Sequence, residues 1–119
     1  MSPKSHAYCD VGLEHQPEAT IITVSGEVDL FAAPTLVAAL EHARLRAEPI
    51  VVDLSACTFF DSAGLTALLR AHLASEAEGR PLAIARPSGS CPERLLEITA
   101  PGHFPAHTSR ADAVAAVAA

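Results

Sequence analysis

An α/β fold, a mixed sheet of four to five strands with about four helices packed against it, is predicted for this 119-residue chain by three observations. Short β-branched segments alternate with helical stretches from Pro34 onward. Ile50, Val51, Val52 and Leu54 form a nearly continuous apolar run, the pattern of a central strand covered on both faces. The next helix is bracketed by Asp61-Ser62 at its start and by Gly79 and Pro81 at its end. Two initial strands followed by helix and strand units imply parallel members joined by right-handed crossovers.

Taken in order, residues 1–7 are short and polar and read as a flexible tail, leaving 8–119 as one domain. Tyr8 to Glu14 and Thr20 to Ser25 read as adjacent antiparallel strands around the turn H-Q-P-E-A, with Gly26 ending the second. Pro34 suits a first helical position, and Leu36, Val37, Leu40 and Ala43 then share one face up to the stop at Pro49. The central strand at Ile50 passes through a short loop into the next helix, where Leu65, Leu68, Leu69 and Leu73 form one stripe. Leu82 to Arg86 reads as a further parallel strand, and P-E-R-L-L-E-I reads as a helix opening at Pro92. Residues His103 to His107 fit a short strand confined to an edge by Pro105, and Ser109 caps a final helix, Arg110 to Ala118.

Composition narrows the function. A formal net charge of -6 repels nucleic-acid phosphates and anionic membrane surfaces, and Lys and Arg are nowhere gathered to overcome it. No apolar run approaches the length of a bilayer span, and the N-terminus lacks the apolar core of a secretory signal, so a cytoplasmic protein is expected. Cys9, Cys57 and Cys91 are odd in number without C-x-x-C spacing, which argues against a disulfide framework or thiolate zinc site. His103 and His107 straddle Pro105 and lack a completing Cys or Asp pair, so no metal is expected. The order D-S-A-G does not meet the G-x-S-x-G spacing of a serine hydrolase, and no P-loop is present; neither an enzyme nor a cofactor site emerges.

The stretch I-V-V-D-L-S-A-C-T-F-F-D-S-A-G-L, Ile50 to Leu65, carries the site. It places the Ser62 hydroxyl at a helix start, where unpaired N–H groups and a partial positive charge would stabilise an anion attached to it. Asp61 caps that helix, orients the hydroxyl, or does both. Gly64 admits a close approach either by a partner or by this domain's own backbone. One of Phe59 and Phe60 anchors the loop in the core while the other belongs to a binding face, where Phe60 is placed among the expected contacts. Asp53 is expected to brace a neighbouring loop.

Four segments in order, G-E-V-D (Gly26 to Asp29), V-V-D-L-S (Val51 to Ser55), F-F-D-S-A-G-L (Phe59 to Leu65) and R-P-L-A-I after the central helix, give the chain its resemblance to a STAS domain. Within that family it is similar to the small bacterial anti-sigma factor antagonists, over roughly residues 10 to 117. The resemblance implies that Ser62 is phosphorylated by a partner that is both an anti-sigma factor and an ATP-dependent serine kinase. It implies that the unmodified form binds this partner and frees a sigma factor, and that a phosphatase restores the phosphorylated form. Asp29 resembles the family's acidic residue beside the phosphorylation site, and Asp61, Ala63 and Gly64 complete the expected partner-binding set with Ser62 and Phe60. Ala63 stands where many relatives have a second Ser or Thr, leaving Ser55 and Thr58 as lesser acceptors. The segment A-P-G-H-F-P-A-H departs from the apolar strand the resemblance calls for. The same resemblance carries an alternative function: an accessory subunit of a membrane lipid-transfer or anion-transport complex, docking a transport component through the same face.

Overall fold

Antiparallel pairing of the first strands and parallel pairing of the rest produce one six-stranded sheet, with strands side by side in sequence order. The computed structural model describes residues 4–6, 9–86 and 106–118. Its strands are β1 (Lys4–His6), β2 (Cys9–His15), β3 (Thr20–Val28), β4 (Ile50–Phe60), β5 (Leu82–Ala85) and β6 (Ala106–His107). Its helices are α1 (Ala33–Leu45), α2 (Ser62–Ala77) and α3 (Arg110–Ala118). Four long strands thus carry the mixed α/β sheet, and β1 and β6 add short edges. The helix expected at Pro92 and residues 103–105 of the expected edge strand lie outside the described residues, as does Tyr8.

The central strand is covered on both faces, as its composition predicts. Ile50, Val52 and Leu54 join Ile22, Leu36, Leu40 and Leu68 in the larger core, beneath α1 and α2. Val51 joins Ile21, Ala83, Ala113 and Val117 in a smaller core beneath α3. The expected cap of α3 is present, with Asp112 N–H donating to Ser109 Oγ at 3.1 Å. Helix α2 ends as expected: Gly79 adopts φ +72°, and the N–H groups of Gly79 and Arg80 return to the carbonyls of Glu76 and Ser75.

Several boundaries differ from the sequence reading, each for a physical reason. Lys4 to His6, within the expected tail, pair with Cys9 to Val11, because the outer edge of β2 offers backbone groups that need no apolar pattern to bind. Gly26 does not end β3; at φ +84° it makes an irregularity through which the strand continues to Val28. Likewise β4 continues past Leu54 to Phe60, so S-A-C-T-F-F is strand rather than loop, paired along the extension of β3. On α1, Val37 is half exposed while Ala39 is buried. On α2 the buried line runs through Gly64, Ala67, Leu68 and Ser75, and the leucines spaced by four drift off it until Leu73 faces solvent.

Candidate functional site

The joint extension of β3 and β4 builds the site. Val28 pairs with Phe60, so Asp29 and Asp61 leave neighbouring parallel strands side by side, about 5 Å apart in the pairing direction. The Asp61 N–H donates to the Val28 carbonyl at 3.1 Å, which ties the two exits together.

Each aspartate then caps the backbone immediately after it. Asp61, in an extended backbone conformation, is the N-cap of α2, its Oδ1 accepting from Ala63 N–H at 2.9 Å and Gly64 N–H at 3.2 Å. Asp29 Oδ1 accepts from Phe31 N–H at 3.0 Å and Ala32 N–H at 2.9 Å, fixing the turn into α1. Asp61 thus has the capping role expected of it, and the cap changes the electrostatics expected at Ser62. The amides of Ala63 and Gly64 already serve a carboxylate, so a phosphate on Ser62 would stand beside that carboxylate rather than in an open N–H cradle.

Ser62 is the first residue of α2 and is exposed, and among the described residues its hydroxyl has no hydrogen-bond partner. Its carbonyl accepts from Thr66 Oγ1 at 2.8 Å, one turn along. Ala63 is half-buried and lines a groove of about 580 Å³ between α1 and α2, with Val37, Leu40, Thr66 and Arg70 on its walls. Gly64 is buried, and a methyl group there would lie 2.9 Å from Phe60 Cε2 and 2.9 Å from Val28 Cγ1. The glycine therefore serves this domain's own packing, letting the helix start close on the strand ends.

Phe60 is corrected from an expected contact to a core residue: it is 3% exposed, under α2, while Phe59 is 43% exposed. Alternation along the strand turns the two rings to opposite faces, and the helix covers only one. Leu30 and Phe31, which the sequence reading did not single out, project from the turn after Asp29 at 69% and 78% exposure. Their signal was present in D-L-F-A-A-P: two large apolar residues between a capping Asp and the helix, outside the one-face spacing that begins at Leu36.

Asp53 lies away from this end, buried under α3. Its Oδ1 accepts from Ser55 N–H at 2.9 Å and its Oδ2 from Arg110 Nε at 2.9 Å, so it ties its own strand to α3 rather than bracing a loop, because β4 continues past it. Burial alone would raise its carboxyl, but hydrogen bonds from Ser55 and the Arg110 guanidinium outweigh it and hold the group below the usual aspartate value. Burial, with help from Asp10 and Asp29, pushes the Cys9 thiol up, so it is an inert core side chain. Among the described residues, no cluster of His, Cys, Asp or Glu is placed to hold a metal, and no helix is long and apolar enough to cross a membrane.

Comparison with known proteins agrees with this architecture. The family model described as "Mlab, STAS domain" matches residues 11–101, and the chain belongs to the STAS domain family. An anti-sigma factor antagonist from Mycobacterium paratuberculosis superposes with a TM-score of 0.81 at 26% identity, over 92% of this chain and 93% of that one. The phosphorylated form of the Bacillus cell fate determinant SpoIIAA superposes with a TM-score of 0.69 at 22% identity, over 90% of this chain and 98% of that one. Its unphosphorylated form gives a TM-score of 0.73 at 22% identity, with 90% and 95% covered. No curated protein in the comparison matches the chain. The fold is the SpoIIAA-like one, and the chain resembles the anti-sigma factor antagonists in particular.

Proposed function

We propose that this STAS domain is an anti-sigma factor antagonist whose binding is switched by phosphorylation of Ser62. The observation that carries the reading is the exposed Ser62 hydroxyl at the first turn of α2, without a partner among the described residues, inside F-F-D-S-A-G-L. Unmodified, the domain binds an anti-sigma factor that is also a serine kinase, and the sigma factor is released. The kinase transfers a phosphoryl group from ATP to Ser62, and a phosphatase removes it. The likeness to an antagonist at 26% identity supports this, as does a SpoIIAA structure in each of two phosphorylation states.

The switch is local. A phosphate adds about 1.5 to 2 negative charges at neutral pH. With the amides of Ala63 and Gly64 given to Asp61, the phosphate would stand beside a carboxylate, and its bulk and its repulsion from Asp61 would oppose a closely packed interface. A penalty of a few kcal/mol suffices, since each 1.4 kcal/mol weakens binding about tenfold. The test is to incubate the chain with ATP and each purified anti-sigma serine kinase of its source organism. One kinase should place a single phosphate on Ser62, and Ser62→Ala should block this while retaining binding. Phosphate on Thr58 would refute the site assignment.

A second reading keeps the surface and changes the partner: an accessory subunit of a membrane lipid-transfer or anion-transport complex. One observation favours it, the Mlab description of the matching family model. Equal binding of wild type and Ser62→Ala to a transport ATPase, with no phosphate incorporated, would select this reading.

A further inference from the structure

We propose that Leu30 and Phe31 form a preorganised apolar anchor that inserts into an apolar pocket with a cationic rim on the kinase partner. The proposal rests on the functional reading above and extends it to the contacts that hold the partner. Scattered exposed apolar residues are ordinary on protein surfaces, so exposure alone carries little. Three further observations distinguish this pair.

The first is rigidity. Asp29 Oδ1 holds the amides of Phe31 and Ala32, and the Asp29 carbonyl accepts from Ala33 N–H at 2.9 Å. Ala32, next in the chain, is 2% exposed, so the turn is pinned from below while Phe31, at 78%, is the most exposed large apolar side chain among the described residues. With the backbone of the turn already fixed, only the two side chains remain to be ordered on binding.

The second is position. The pair follows Asp29, beside the exit of β4 that leads through Asp61 to Ser62, and half-exposed Phe59 stands at the same end of the sheet, paired with Glu27. The anchor is therefore continuous with the phosphorylation site.

The third is charge. At this end of the sheet the strands carry Asp10 and Glu27, with Asp29 and Asp61 at the strand exits, while Lys4 lies one register step below Ser25 and Arg70 stands about two turns along α2 from Ser62. The basic residues of α1 and the α2 terminus gather at the other end, where Arg44 pairs with Glu41 and Glu78, and Arg46 and Arg80 pair with Glu48 and Glu78. An apolar knob in an acidic field fits a pocket lined by apolar groups and rimmed by Lys or Arg.

The experiment is calorimetric titration of the whole chain into the purified anti-sigma serine kinase that modifies it. Leu30→Ala and Phe31→Ala should each weaken binding about tenfold or more, as truncation of a buried anchor does, without lowering the melting temperature. Leu45→Ala, 72% exposed at the far end of α1, should stay within twofold of wild type. Wild-type binding that Phe31→Ala leaves within twofold would overturn the anchor and spare the functional reading. Failure of the wild type to bind any such kinase would overturn both. A wild-type homodimer that Phe31→Ala converts to monomer would assign the patch to a second copy of the chain and also overturn the proposal.

Discussion

At Gly64, a single absent methyl group decides how closely α2 can approach the sheet. Alanine is ordinarily the better helix former by about 1 kcal/mol. Here the added carbon would meet Phe60 and Val28, both buried and unable to yield cheaply. Overpacking should win, and Gly64→Ala should destabilise the domain by about 1 to 3 kcal/mol in a denaturant titration. Asp61→Ala removes the acceptor for two amides and should cost about 0.5 to 2 kcal/mol, with faster amide exchange at Ala63 and Gly64. The cap of α2 was legible in D-S-A-G-L, because capping chemistry is local. Which phenylalanine faces outward was not, because Phe59 and Phe60 differ only in which side of the sheet the helix covers.

Among the elements, β4 and α3 show how far local pattern reaches. The apolar run at Ile50 announced a central strand, and Gly79 announced the end of α2, since both signals are contained in a few residues. The continuation of β3 and β4 to Val28 and Phe60 was hidden, because it depends on pairing between segments 32 residues apart through an irregular register at Gly26. Docking of α3 was legible only as amphipathic spacing; the contact that fixes it, Arg110 on Asp53 and Thr23, joins residues 57 and 87 positions apart. Arg110→Met should leave Asp53 buried without its cation and cost about 1 to 3 kcal/mol at neutral pH. The native Asp53 carboxyl titrates below its ordinary value, so its stabilisation is present above that value and lost as pH falls through the native one. The gap in stability between wild type and Arg110→Met should therefore be widest near neutral pH and close in acid below about pH 3.9, as pH-dependent urea melts would read.

Across the whole molecule, charge is divided along the strands. Asp10, Glu27, Asp29 and Asp61 gather at the end bearing Ser62, while Arg44, Arg46 and Arg80 are neutralised at the other. The net charge of -6 alone does not reveal this arrangement. An acidic end should draw in a basic partner, and association measured by stopped flow should slow as ionic strength rises from about 0.01 to 0.15 M. A phosphate on Ser62 would not create the negative field; it would add charge and bulk where the amides of Ala63 and Gly64 are already taken. The most direct test is to measure the affinity of the purified kinase for the chain before and after that kinase has modified it, with the modified residue mapped by mass spectrometry. One phosphate on Ser62 and binding weakened at least tenfold are expected. Equal affinity of the two forms, or a phosphate borne by another residue, would contradict the Ser62 switch.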